Sequence, residues 1–228
     1  MARPYAGYKD GAGNKIPGVT TIIGRFKESG GLVHWAWKLG TEGKDYRKER
    51  DNAASIGTYV HDWVEATINK QAQPIVPVEF TLDDIGACER SYQQWRHWYF
   101  EHGFTIDRTE IPLISKRGFA GTIDAYGADK DGVVCLIDWK TGKAVYKDVM
   151  LQMGAYMALL EEHEFEVPSE VHVVNFTKTG ELNLYKWTAI EIGVAREMFF
   201  ALLAAYKYDK DLEPIFTKGA VIGKDNVS

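Results

Sequence analysis

The chain has 228 residues, 45% of them hydrophobic, and a net charge of −5, which is typical of a folded globular protein and excludes a largely disordered one. Its two cysteines, Cys88 and Cys135, exclude a disulfide framework, a four-cysteine zinc site and a four-cysteine iron–sulfur cluster. The N-terminus lacks a secretory signal, and the longest apolar stretch is too short to cross a bilayer, so we expect a cytoplasmic protein without a membrane partner.

The charges are unevenly distributed along the chain. Residues 1–50 contain ten basic and five acidic side chains, whereas residues 51–114 contain four basic and ten acidic ones. A basic segment on an acidic body is compatible with a local phosphate-binding surface. Solvated lysines on a surface helix would produce the same pattern.

The first part of the chain, residues 1–103, is predicted to be mainly helical. Residues 16–23 form a turn that enters a short apolar element. Helices are expected over 32–54, with a break near 40–43, and over 55–69. Thr81 is a good N-cap for a third helix, and Gly103 is a good residue to end it.

Residues 104–187 are predicted to form the catalytic sheet. The predicted strands are 104–115, 119–128, 133–141, 169–177 and 181–187, with one helix over 147–162. A C-terminal helix over 188–216 and a loose tail over 217–228 follow. This order of elements predicts a single α+β (α/β) domain, 1–228, in which helices flank one mixed central sheet.

Two tight turns predict how three acidic residues align across adjacent strands. A turn centred near Asp131 places Asp124 opposite Asp138, and a turn centred near Arg117 places Glu110 opposite Asp124, provided that no bulge shifts the register. Opposed side chains lie about 5 Å apart at Cβ, where carboxylates repel each other. Such a site either protonates an acid or binds a divalent cation, for which oxygen ligands favour Mg²⁺, Mn²⁺ or Ca²⁺.

Lys140 adds a positive charge to this predicted cluster. It follows Asp138 by two residues, so both side chains point to the same face of the strand. Aspartate and lysine at this spacing usually form a surface ion pair, but residues 136–140 are otherwise apolar, and a buried ion pair stabilises a protein poorly. Two acids and a lysine on adjacent strands are what metal-dependent phosphodiester hydrolysis requires.

With these residues in place, the sequence resembles the PD-(D/E)XK nuclease superfamily, and specifically its RecB-like branch, which includes viral, bacterial and mitochondrial genome maintenance exonucleases. The matching segments are residues 17–22, 57–61, 110, 121–124, 137–142 and 152–156. Ile123 stands where the family name has its proline. The resemblance implies a restriction-endonuclease-like core.

The resemblance also implies a metal site. Asp124, Asp138 and the backbone carbonyl of Trp139 would bind Mg²⁺ or Mn²⁺, and His61 would complete the metal shell from its helix. From the residues alone, His61 could instead form a hydrogen bond with Glu65, one helical turn further along. No iron–sulfur cluster and no nucleotide cofactor are expected, and the sequence has no helicase P-loop of the G-x-x-x-x-G-K-S/T type.

Four further residues are assigned to catalysis. The resemblance implies that Lys140 acts on the nucleophilic water and that Gln152 and Tyr156 lie over the site from the helix after the third strand. Glu110 is the third acid of the predicted cluster. The spacing of Gln152 and Tyr156 would equally suit the polar edge of an amphipathic helix.

Residues that contact DNA are predicted in the basic N-terminal segment. They are Thr20, Thr21, Lys38, Lys44, Arg47 and Lys48. Aromatic residues interleaved with these, such as Trp35 and Trp37, would either stack on bases or belong to the core.

The predicted function is that of a metal-dependent deoxyribonuclease, an exonuclease that hydrolyses phosphodiester bonds of single strands or duplex ends through a metal-activated water. A recombination or single-strand-binding protein is an expected partner. The expected location is the cytoplasm of a bacterial cell, with a phage as one source of the gene. Two alternatives stay open: a nuclease-like fold that only binds DNA, and a hydrolase of another phosphate ester.

Overall fold

The computed structural model describes residues 7–219. Their elements are β1 (Tyr8–Lys9), β2 (Lys15–Ile16), α1 (Val19–Phe26), α2 (Gly30–Thr41), α3 (Tyr46–Ile68), α4 (Leu82–His102), β3 (Thr105–Ser115), β4 (Phe119–Ala128), β5 (Val134–Lys140), α5 (Asp148–Glu162), β6 (Glu170–Phe176), β7 (Leu182–Thr188) and α6 (Ala189–Lys218). The predicted tail over 217–228 therefore begins inside α6, and residues 220–228 of that tail lie outside the described residues.

A five-stranded mixed sheet forms the centre of the fold, with strand order β3-β4-β5-β6-β7. All neighbouring strands are antiparallel except β5 and β6, which run parallel because α5 crosses over between them. The predicted α+β class, with one mixed sheet flanked by helices, is confirmed.

Two apolar clusters cover the two faces of the sheet. The α5-side core contains Met153 and Leu159 of α5 and Phe199 of α6, and the α4-side core contains Trp95 and Trp98 of α4. Together they sandwich the sheet between layers of helices, which explains why β4, β5 and β6 are almost entirely buried.

Two long helices begin with side-chain caps, of which the one at Thr81 is predicted from the sequence. Thr81 accepts a hydrogen bond from the backbone N–H of Asp84, whose carboxylate accepts one from the Thr81 N–H; Thr188 and Glu191 form the same reciprocal pair. α4 ends at Gly103, where φ is +64°, a left-handed conformation that favours glycine.

The helical N-terminal part differs from the prediction in one place. The predicted boundary at 54/55 does not exist, because α3 runs without interruption from Tyr46, after Asp45 caps it by accepting from the Arg47 N–H. The short apolar element predicted near 16–23, whose type the sequence leaves open, is helix α1. Within residues 7–219, no helix is long and apolar enough to cross a bilayer.

Candidate active site

The sheet register beside the three acidic residues follows the count from the two turns. The pairs Thr109↔Ala125 and Ile111↔Ile123 lie on either side of Glu110 and Asp124. Between β4 and β5 the last pair is Ala125↔Ile137, one residue before Asp124 and Asp138 would meet. A register shift does occur in β3, but it lies nearer the start of the strand and leaves this alignment unchanged.

The regular geometry of the sheet is interrupted at this point. Glu110 has φ of +45°, which is uncommon for a residue with a side chain. On the opposite strand, Ile123 packs into the α5-side core whereas Ala125, two residues later, packs into the α4-side core. Because alternate residues of a regular strand share a face, the strand must change facing at Asp124. Both acids thus sit where the backbone departs from the regular pleat.

Asp124 is only 1% exposed and has contacts to two other elements. Its Oδ2 accepts a hydrogen bond of 2.9 Å from the backbone N–H of Trp139 and lies 3.6 Å from Nδ1 of His61. His61, Glu110 and Asp124 each offer one potential ligand atom, and these atoms lie within 4.8 Å of one another. The structure therefore brings together an imidazole from α3 and carboxylates from β3 and β4.

Asp138 is fully buried and faces α5. Its Oδ2 forms an ion pair with the Lys140 ammonium group, and its Oδ1 accepts a hydrogen bond of 3.3 Å from Nε2 of Gln152. Gln152 Nε2 also donates to the hydroxyl of Tyr156, at 2.9 Å. Gln152 and Tyr156 thus contact each other and support Asp138, although exposed positions on α5 would have been equally compatible with their spacing.

Close packing between elements holds this region in place. A Cβ atom on Gly57 would lie 3.0 Å from the Thr141 hydroxyl, and one on Gly121 would lie 2.6 Å from the Tyr156 ring. Glycine at these positions lets α3 approach the loop after β5 and lets α5 approach β4. The neighbour of Gly57 is therefore Thr141, the first residue after β5.

Asn175 is a buried residue of the site that the sequence analysis does not identify. It lies on β6 beside Lys140 of β5. With its amide oriented to match the surrounding acceptors, Nδ2 donates to the carbonyls of Lys140 and Gly142, at 3.0 and 2.9 Å. The signal was present in the sequence, since Asn175 is a polar residue in an otherwise apolar strand end.

The donor set at this edge of the sheet fits a hard divalent cation. Carboxylate oxygens such as those of Glu110 and Asp124 are the ligands that Mg²⁺ and Mn²⁺ prefer, and His61 adds an imidazole nitrogen to the same group. Asp138 is a further buried carboxylate on the neighbouring strand β5. Carboxylates this deeply buried are costly unless they are paired with positive charge. The residues present are therefore suitable for the metal that the resemblance implies.

A second group of metal-ligating side chains lies near the opposite end of β5. Cys135, Glu170 and His172 also have ligand atoms within 4.8 Å of one another. Glu170 forms a hydrogen bond of 3.0 Å with His172 and an ion pair of 2.7 Å with Lys186. These contacts form a buried polar network that links β6 and β7, and burial lowers the pKa of His172 within it.

The predicted DNA-contacting residues are all at the surface. Thr20 and Thr21 are exposed on α1, and Lys38, Lys44, Arg47 and Lys48 are exposed on α2 and α3 or between them. Of the aromatic residues among them, Trp37 is 64% exposed. Trp63, in contrast, stacks on Tyr92 at 4.0 Å between ring centroids and packs against the α4-side core.

Comparison with known proteins points to one family. The family model of the PD-(D/E)XK nuclease superfamily matches residues 34–213, well over half of the chain. No curated protein matches the sequence significantly.

Two solved structures are similar to this chain at low sequence identity. SSO0001 is 16% identical with a TM-score of 0.32 over 52% of this chain, and this chain covers 60% of the length of SSO0001. A candidate exonuclease from Eubacterium rectale is 14% identical with a TM-score of 0.37, over 79% of this chain and 68% of that protein.

Proposed function

This chain belongs to the PD-(D/E)XK nuclease superfamily, and from that premise we propose that it is a metal-dependent deoxyribonuclease of the RecB-like branch. We propose that it acts as an exonuclease on single strands or duplex ends in the cytoplasm of a bacterial cell, encoded by the cell or by a phage. A recombination or single-strand-binding protein is the partner that we propose.

One observation carries this proposal. Asp124 and Asp138 are buried on adjacent strands, next to the point where the two strands stop pairing, and Lys140 forms an ion pair with Asp138. Buried carboxylates beside an ammonium group are costly to maintain for stability alone. They are useful where a cation and a phosphate must be held together.

Each residue then has a definite task. Asp124, Asp138, the Trp139 carbonyl and His61 would hold Mg²⁺ or Mn²⁺. When bound, the cation supplies Lewis acidity and lowers the pKa of a water molecule.

The remaining residues would position the reacting groups. Lys140 orients the attacking water and offsets the negative charge that develops on the phosphate. Glu110 contributes a further carboxylate. Gln152 fixes the carboxylate of Asp138 through its hydrogen bond, and Tyr156 fixes Gln152 in turn.

The exposed hydroxyl and basic side chains would contact the DNA backbone. Thr20 is next to the catalytic edge, because it lines the same cavity as Lys140 and Gln152. Lys38, Lys44, Arg47 and Lys48 would contribute salt-dependent affinity that is independent of sequence.

End-labelled linear DNA and a circular single strand of the same sequence distinguish the proposed activity from its alternatives. We expect release of mononucleotides or short products from the linear strand in Mg²⁺ or Mn²⁺, none in chelator, and no cleavage of the circle. Cleavage of the circle would contradict exonuclease action. Binding of DNA without cleavage in any metal would establish the binding-only alternative.

A matched pair of lysine variants tests the assignment of Lys140. Lys140→Ala should abolish cleavage, whereas Lys143→Ala, which removes an exposed lysine three residues away, should leave it close to wild type. Equal activity of the two variants would refute the role of Lys140.

A further inference from the structure

A cavity of about 340 Å³ opens next to Lys140, at the end of β5. Its wall includes Lys140 and Gln152, whose side chains both contact Asp138. α1, the loop between β5 and α5, and the first turns of α5 supply the rest. Its volume is at the lower end of the range of small-molecule sites, about 300–1,000 Å³, so it has room for one group the size of a nucleoside.

The surface of this cavity is largely apolar. Ile23, Val145 and Val149 supply aliphatic side chains, and Ile23 and Val149 are anchored in the α5-side core. Tyr146 adds an aromatic ring that is 66% exposed. A planar base stacks favourably on such a ring, whichever base it is.

The charges in the wall are already paired, which makes a phosphate the less suitable occupant. The Lys27 ammonium lies 2.6 Å from the carboxylate of Asp148, and both residues line the cavity. Lys27 also lies 5.5 Å from the centre of the Tyr146 ring. Because the charge of Lys27 is balanced by that of Asp148, an uncharged planar group fits this part of the wall better than an anion does.

We propose that this cavity receives a nucleobase of the substrate strand, adjacent to the phosphate that is cleaved, and that Tyr146 stacks on it. The proposal rests on the proposed nuclease function, because it places the scissile phosphate at Lys140. A base inside a duplex is stacked between its neighbours, so it must leave the helix to enter. The enzyme should therefore require an unpaired nucleotide at the site of cleavage.

A binding measurement in chelator tests the cavity without relying on catalysis. The probes are single-stranded oligodeoxynucleotides that each carry one 2-aminopurine, at a different position near the end. The fluorescence of this base falls when it stacks on an aromatic ring. We expect quenching at one position with wild type and with Tyr146→Phe. Tyr146→Ala should lose the quenching and bind about tenfold more weakly. Tyr208→Ala, which removes an equally exposed tyrosine of α6, should behave as wild type.

A cleavage measurement in Mg²⁺ completes the test. We compare kcat/KM for normal strands with that for strands carrying one abasic site at the quenched position. Loss of the base should cost wild type about tenfold, and Tyr146→Ala should show no such difference between the two strands.

The outcomes separate the two proposals. Suppose that the wild type cleaves DNA, but that neither the quenching nor the effect of the abasic site changes in Tyr146→Ala. This result overturns the cavity assignment and leaves the nuclease function intact. Quenching that depends on Tyr146, without cleavage in any metal, overturns the nuclease function and retains the base-binding cavity.

Discussion

Asn175 offers a quantitative test of what holds the segment between β5 and α5, residues 141–147, which we call the catalytic loop. Its side chain is fully buried, and its amide donates to the carbonyls of Lys140 and Gly142, at 3.0 and 2.9 Å. Leaving a buried acceptor without its hydrogen bond costs about 1–3 kcal/mol. Asn175→Ala removes two such bonds, so we expect it to lower the free energy of unfolding by about 2–6 kcal/mol.

Replacement by aspartate separates the loss of the donor from the loss of volume. Asn175→Asp is nearly isosteric, but it places carboxylate oxygens against two carbonyl oxygens, and we expect it to be at least as destabilising as Asn175→Ala. The loop follows Lys140 directly, so a displaced loop would also displace Lys140. The cleavage rate should therefore fall by about tenfold to a hundredfold in protein that is still folded.

Urea unfolding, followed by tryptophan fluorescence, measures the first effect, and the rate of DNA cleavage measures the second. Asn183→Asp is the matched control, because Asn183 pairs with Asn175 in the sheet but is exposed. It should change stability by less than about 0.5 kcal/mol. If Asn175→Asp were as stable as this control, the amide would not anchor the loop as described.

Three further predictions concern packing, thiol reactivity and metal binding. A Cβ atom on Gly154 would lie 2.6 Å from the Arg196 backbone N, so Gly154→Ala should lower the free energy of unfolding by about 1–3 kcal/mol. Gly193→Ala, with no atom near its Cβ, should raise it by up to about 1 kcal/mol, and equal effects in urea unfolding would contradict this packing. Burial raises the pKa of Cys135 to about 12 and that of Cys88 to about 11. Iodoacetamide at pH 8 should therefore label neither thiol in the folded protein. Rapid labelling of either cysteine, detected by mass spectrometry, would be inconsistent with this burial. Mn²⁺ at about a hundred times its dissociation constant should stabilise the wild type by about 2.7 kcal/mol in a thermal melt, and no shift would argue against a metal site.

The alignment of the acids could be predicted because short turns determine register. Gly118 and Gly132 adopt positive φ, as glycines in tight turns do, and each turn ties two neighbouring strands together. Counting residues outward from these turns is then sufficient to place Glu110, Asp124 and Asp138.

Other features depended on contacts between distant parts of the chain. The positive φ of Glu110 has no signature in the local sequence. Asn175 reaches the catalytic loop only because α5 returns the chain to pair β6 with β5 in parallel, and a hairpin count does not apply to that pairing. The cavity beside Lys140 could not be predicted either, because it forms only where α1 and α5 meet in the folded chain.

Cleavage of an end-labelled single strand by Asp138→Asn protein tests the central claim most directly. The substitution keeps the size of the side chain but removes the charge that pairs with Lys140 and that would hold the cation. We predict a rate in Mg²⁺ that is lower than that of wild type by about a thousandfold, with an unchanged circular dichroism spectrum. A rate equal to that of wild type would contradict the assignment of this edge of the sheet as the active site.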